Sequence, residues 1–235
     1  MSLKYFDAHC HVQFDAFDSD QAELIEKMKL EGVGGVVVGC DLESSKKAVE
    51  LVQKHEHLWA SVGLHPNDKL AEVFDADAYR VLAKHQKVVA IGECGLDYFR
   101  TEPTVENKRI QRERFEAHIA LAAELDKPLI IHSRPSKGTY DAYEDLLAIL
   151  KEEKQRHQNL RGDIHFFVGT PEIAKQLFEL GFTVSFTAVI TFARDYDEVI
   201  LTAPLDMILS ETVAPYVPPT NRARGSRNDP LAVQD

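Results

Sequence analysis

"GGVVVGCDLESSKKAVELVQKH", residues 34–55, sets a short apolar run directly before an amphipathic stretch that opens on Asp41. The run is rich in valine and too short for a globular helix, which is how a strand buried on both faces reads. Asp41 stands at an N-cap position, where a carboxylate can accept an amide that the first helical turn leaves unsatisfied. A strand passing at once into a helix is the repeating unit of a parallel sheet.

The unit recurs along the chain. Apolar runs stand at "KYFDAH" near residue 4, "LWASVG" near 58, "KVVAIG" near 87, "PLIIH" near 128, "GDIHFF" near 162, "FTVSF" near 182 and "LDMILS" near 205, making eight with the first. Helical periodicity fills the intervals: "DQAELIEKMKLEG" closes on Gly32, and "TPEIAKQLFELG" has Thr170 at the cap, Pro171 at the first position and Gly181 at the end. Parallel strands with right-handed crossovers follow from this alternation. Eight units in 235 residues predict an α/β fold, a closed (β/α)8 TIM barrel spanning 1–235 as one domain, with an open doubly wound sheet as the competing architecture. After the eighth run the chain reads "ETVAPYVPPTNRARGSRNDPLAVQD", which leaves almost no room for a closing helix. The last helix is therefore expected to be missing or truncated, with an exposed apolar edge beside it.

Composition narrows the function classes. With 44% hydrophobic and 28% charged residues the chain reads as an ordinary globular protein. A net charge of -11 argues against a broad grip on duplex nucleic acid while leaving room for a small local phosphate site. No apolar run reaches the roughly 18 to 20 residues of a membrane span, and "MSLK" leads straight into a strand, so a cytoplasmic monomer with no membrane partner is the expectation. Three cysteines without a C-x-x-C pair suit a reducing compartment.

Side chains at the C-terminal ends of barrel strands line one mouth, where such folds build their chemistry. In "KYFDAHCHV", residues 4–12, alternation puts Asp7, His9 and His11 on one face and Ala8 and Cys10 on the other, so Cys10 reads as a buried thiol. On that motif alone a polar loop and a metal site are both open readings. Strand three adds His65, strand four Glu93 and Asp97, strand five His132 and strand six His165. Imidazoles and one carboxylate on rigid strand ends supply donors for one or two divalent cations, with Zn, Mn, Fe, Co or Ni favoured and Mg the weaker fit. Glu93, midway in the ligand order, is the natural bridge between two ions. Asp7 reads equally as a ligand or as an acceptor for a ligand's second N–H. His55, His57, His85, His118 and His157 fall on predicted helices or their ends and read as solvated.

The segments "FDAHCH", "GLHP", "GECGLDY", "IIHSR", "IHFFVG" and "ETVAPY", in this order, resemble the TatD-like metal-dependent hydrolases, also described as TatD deoxyribonucleases, within the wider amidohydrolase barrels. The resemblance implies metal ligation by His9, His11, Glu93, His132 and His165, and contact of His65 with a substrate phosphate. It also marks a departure: Val213 stands where the family pattern has an aspartate that binds metal and accepts a proton. Glu211, two positions earlier, could share that face and partly compensate, or serve as a structural carboxylate.

The expected activity is hydrolysis by water activated on the cation, most directly of phosphodiester bonds at DNA ends, with Glu93, His65 and Glu211 as catalytic candidates. Phosphate would be met by His65 and Arg134, and by Arg224 with Arg222 and Arg227 in "NRARGSR". Lys108, Arg109, Arg112 and Arg114 in "NKRIQRERF" read as phosphate contacts or as a solvated helix face, and Tyr98 and Phe99 as base-stacking or core. The alternatives are hydrolysis of an amide or ester such as an aminoacyl link, and a catalytically degenerate metal-binding protein.

Overall fold

The computed structural model describes residues 2–67, 72–223 and 225–235. Its eight strands are β1 (Tyr5–Cys10), β2 (Val33–Val38), β3 (Leu58–Val62), β4 (Val88–Asp97), β5 (Leu129–Arg134), β6 (Gly162–His165), β7 (Phe182–Phe186) and β8 (Ile208–Ser210). Each pairs in parallel with the next, in the order of the sequence. The connecting helices are α1 (Gln21–Glu31), α2 (Leu42–Val52), α3 (Ala76–Ala83), α4 (Val105–Leu125), α5 (Asp141–Arg156), α6 (Pro171–Glu179) and α7 (Asp197–Thr202). All eight predicted runs are strands, and the TIM barrel expectation holds.

The caps act as the sequence indicates. Asp41 accepts the amide of Ser44, whose hydroxyl returns to the Asp41 amide, closing a capping box at the start of α2. Thr170 caps α6 ahead of Pro171, while Gly32 ends α1 at φ 76°, in the left-handed region.

Closure decides against an open sheet. Beyond β8 the chain runs along β1: the Val213 amide donates to the His9 carbonyl at 2.8 Å and the His11 amide donates to the Ala214 carbonyl at 2.8 Å. Asp7 fastens the same seam, accepting from the Thr212 amide at 2.9 Å, the Thr212 hydroxyl at 2.5 Å and the His9 amide at 3.1 Å. The pairing covers only the C-terminal pole. Among the described residues no α-helix follows β8, and a short 3-10 turn, Pro230–Gln234, packs on β1 instead. Tyr5, Phe6 and Leu209 beside it are exposed. A cavity of about 730 Å³, lined by Lys4, Val36, Ala90, Ile130 and Leu209 among others, enters the barrel from the opposite, N-terminal pole.

The main core lies between strands and helices, where Phe17, Ile25, Met28, Val37, Phe115, Ile119 and Tyr143 are buried, while Val36, Val38, Ala90 and Ile130 form a smaller cluster. No helix is long and apolar enough to cross a membrane among the described residues. Two histidines expected in solvent are inside. His118 is fully buried on α4, its Nδ1 donating to the Arg114 carbonyl at 2.7 Å and its Nε2 accepting the Leu64 amide at 3.0 Å; His57 is also buried. The charged first turns of α4 disguised His118, which shares a buried face with Phe115, Leu121 and Ala122.

Candidate metal centre

The C-terminal pole collects the strand-end residues. His9 Nε2 lies 3.1 Å from His11 Nε2 and 3.4 Å from Glu93 Oε2. The other carboxylate oxygen, Glu93 Oε1, lies 2.8 Å from His165 Nε2, 3.1 Å from His132 Nδ1 and 3.2 Å from His65 Nε2. Glu93 thus stands between two sets of imidazoles, one facing each oxygen. Its position depends on Gly95, at φ 133°: a Cβ there would come within 2.1 Å of the His132 carbonyl, so only glycine lets β4 approach β5 this closely.

Hydrogen bonds behind the rings set which nitrogen faces inward. His11 Nδ1 is 2.8 Å from the Val38 carbonyl, which can only accept, so Nδ1 carries the proton and Nε2 presents a lone pair. His132 donates through Nε2 to Asp97 Oδ2 at 3.0 Å, which turns Nδ1 toward Glu93. Glu211 lies behind two more rings, 3.9 Å from His9 Nδ1 and 3.7 Å from His165 Nδ1, with Oε1 accepting the Phe166 amide at 2.6 Å. A ring that gives one nitrogen to a cation ordinarily gives its other N–H to such a carboxylate.

Electrostatics agree with this division. Burial pushes His11 down to about 3 and lowers His9, keeping both rings neutral, as ligands must be. His165 behaves oppositely: burial lowers it, but Glu93 and Glu211 on either side outweigh burial and push it up to about 10. Burial alone would raise Glu93, yet His165, His65 and His9 hold its carboxyl well below the usual range. The pocket therefore calls for positive charge beside Glu93, which a proton or a divalent cation supplies.

The residues fit a metal. Three groups bring ligand atoms within 4.8 Å of one another: His9, His11 and Glu93; His65, Glu93 and His132; and His9, His165 and Glu211. Zinc–nitrogen bonds of about 2.0–2.1 Å in tetrahedral array separate their nitrogens by roughly 3.3 Å, close to the spacing of the inward nitrogens here. His9 Nδ1, His165 Nδ1 and Glu211 Oε2 are buried without hydrogen-bond partners, and they face one another on the far side of the rings from Glu93.

Other sequence-derived candidates fall elsewhere. Asp7 bonds the barrel seam through both oxygens and is neither ligand nor acceptor for a ligand's ring. Cys10 is buried and donates to the Val36 carbonyl. Arg109 pairs with Glu106 and Glu113, Arg112 with Glu116 and Glu152, Lys108 with Asp145, and Arg114 donates to the Glu72 carbonyl, so the α4 set is a salt-bridged helix face. Arg222 pairs with Asp229 and Arg227 with Asp20; Arg224 lies outside the described residues. Arg134 does reach the mouth, stacked over Phe99 at 4.1 Å, and with His132, His165 and Tyr140 it lines a cleft of about 570 Å³. Tyr98 is core, donating to Asp145, whereas Phe99 is exposed. His65, set to meet phosphate, turns its ring to Glu93 and accepts the Asn67 amide. Cys40 was not singled out from the sequence, although its place directly after strand two puts it at the same rim; its Sγ lies 3.6 Å from Glu93 Oε2.

A family model described as TatD related DNase matches residues 6–235. A Bacillus subtilis protein named as the uncharacterized metal-dependent hydrolase YabD is 38% identical over 233 residues, covering 97% of this chain and 87% of that protein. The 3'-5' ssDNA/RNA exonuclease TatD of Klebsiella pneumoniae is 30% identical over 233 residues, covering 96% of this chain and 84% of that one. Among solved structures, the TatD homolog YjjV from Escherichia coli superposes with a TM-score of 0.85 at 27% identity, covering 100% of this chain and 88% of that one. Likeness that runs through strands, helices and loops alike is not confined to a shared site, and the chain belongs to the TatD-related DNase family.

Proposed function

We propose that the protein hydrolyses phosphodiester bonds at the ends of DNA strands, with one or two divalent cations held by His9, His11, Glu93, His132 and His165. The observation that carries this reading is the double presentation of Glu93, Oε2 toward His9 and Oε1 toward His132 and His165. When bound, a divalent cation polarises the scissile phosphoryl group and lowers the pKa of water. Asp97 holds the His132 ring inward through a hydrogen bond, and the Glu211 carboxylate, within 4 Å of His9 Nδ1 and His165 Nδ1, places negative charge behind those two rings. Arg134, rigidified on Phe99 and without a carboxylate partner among the described residues, is placed to bind a phosphate oxygen in the adjoining cleft. His65, beside Glu93 and close to the opening, is the residue that can hold a proton for the departing oxygen. An acidic chain with Arg134 at the mouth suits a few phosphates at a strand end. The exonuclease name of the Klebsiella relative supports the same substrate class.

Val213 favours a second reading, a cation-binding protein without turnover, because a valine beside His9 can neither ligate nor accept a proton. One assay separates the two. End-labelled single-stranded DNA incubated with the purified chain and Mn2+, Mg2+ or Zn2+ should release mononucleotides, and EDTA should stop the release. Metal binding with no release from DNA would favour the silent protein, and turnover of carboxylic esters alone would point to amide or ester chemistry.

A further inference from the structure

The metal centre opens on one side into the cleft of about 570 Å³, which His132 and His165 line together with Arg134, Lys137, Tyr140 and Phe166. A molecule filling it has one end against the imidazoles beside Glu93. Phe166 is the unusual member of that wall. It directly follows β6 and stands at φ 49°, a left-handed conformation that bulky side chains adopt rarely and that concentrates at functional sites. Its amide donates to Glu211 Oε1 at 2.6 Å, which fixes the turn, while the next residue, Phe167, is buried in the core against Tyr143. Of two adjacent phenylalanines, one packs the barrel and the other lines the cleft.

The same cleft carries two cations. Arg134 lies over Phe99, and Lys137 stands on the turn between β5 and α5; neither has an ion pair among the described residues, whereas Arg109 and Arg112 on α4 pair with glutamates. Asp141 clamps that turn. Its Oδ1 accepts the Ser136 amide and the Thr139 hydroxyl, both at 2.9 Å, and its Oδ2 accepts the Ser136 hydroxyl at 2.7 Å. Cations on a fastened turn lose little freedom when they bind. An aromatic wall and two unpaired cations in one cleft match a nucleotide, whose base offers a flat face and whose phosphate carries the charge. Every base has such a face, so the wall selects for an unpaired nucleotide and not for a sequence.

We propose that this cleft is a nucleotide subsite, in which Phe166 stacks on the base of the nucleotide at a strand end while Arg134 and Lys137 hold its phosphate. The inference rests on the phosphodiester reading above and adds to it the residues that hold the nucleotide beside the metal centre. Binding here makes and breaks no covalent bond.

The test uses the full chain in EDTA, where no strand is cut and no cation draws the phosphate, and reads the dissociation constant of dAMP by isothermal titration calorimetry. Deoxyribose phosphate, the same anion without the base, is expected to bind about tenfold more weakly. Phe166→Ala should weaken dAMP by a similar factor and leave deoxyribose phosphate unchanged, whereas Lys137→Ala should weaken both ligands alike. If Phe166→Ala does not fold, the wild type decides: no binding of dAMP, or equal binding of the two ligands, overturns the proposal. So does a folded Phe166→Ala that binds dAMP as the wild type does. A dinucleotide of deoxyadenylate should bind at least as tightly as dAMP, and weaker binding would overturn the assignment to a strand end in favour of free nucleotides. Binding is read without turnover, so a chain that meets these expectations yet leaves DNA intact with Mn2+ or Zn2+ loses only the phosphodiesterase reading. A chain that cuts DNA but binds the two ligands equally loses only the subsite.

Discussion

Val213 places a β-branched side chain at φ 53°, a left-handed conformation that disfavours such residues by roughly 1–2 kcal/mol and that aspartate tolerates better. It is buried and hydrogen-bonded to the His9 backbone, so whatever replaces it sits beside the candidate cation. Val213→Asp is expected to destabilise the metal-free chain, since it adds a buried carboxylate near Glu93 and Glu211. Added Zn2+ should then stabilise the variant more than the wild type: a tenfold tighter site corresponds to about 1.4 kcal/mol at a given ion concentration. Thermal melts of both proteins with and without Zn2+ measure this, and DNA hydrolysis by the variant should rise as well. Equal metal-induced shifts and equal rates in the two proteins would show that the valine deprives the site of nothing.

On α4 a single side chain couples a helix to the loop after β3. His118 spans from the Arg114 carbonyl to the Leu64 amide, next to His65, with Phe74 and Tyr79 packed around the ring and the Arg114 charge nearby. Burial pushes it down to about 4, so the folded chain resists protonation that the unfolded chain accepts near 6.5. The folded state binds fewer protons between those values, and stability falls as pH falls through that window. His118 should account for about 2 kcal/mol of loss between pH 7.5 and pH 5. Urea unfolding at both pH values should show wild type losing that increment and His118→Gln losing much less; parallel losses would mean that the ring is not the titrating group. Apolar Phe115, Leu121 and Ala122 at helical spacing from His118 mark its buried face in the sequence, but nothing local gives its hydrogen bond to a distant loop.

For the whole molecule, the barrel is closed at one pole by Asp7, Thr212 and two backbone bonds, and is open at the other. Because β1 carries His9 and His11 while the chain beyond β8 carries Glu211, this seam also fixes the two sides of the candidate metal centre. Thr212→Val removes a hydroxyl that donates to a fully buried carboxylate and is expected to cost about 1–3 kcal/mol. Chemical denaturation gives the stability, and Zn2+ titration of the folded variant should show weaker binding, because the seam and the ligands move together. An unchanged zinc affinity in a destabilised protein would separate closure from ligand geometry.

Short apolar runs alternating with capped amphipathic stretches were sufficient to determine eight strands, their parallel sense and the residues at their C-terminal ends, since burial and hydrogen bonding act over a few residues. His9, His11, Glu93, His132 and His165 were legible for that reason: strand alternation and barrel topology assign them to one pole. Only the folded chain decided that Asp7 serves the seam, that Asp97 and Glu211 stand behind the rings, that the arginines of α4 pair along its surface, and that Cys40 borders the metal group. Each of those outcomes depends on which partner lies within about 3 to 4 Å across elements distant in sequence, and hydrogen bonds and ion pairs weaken too steeply with distance for a pattern along one chain to assign them.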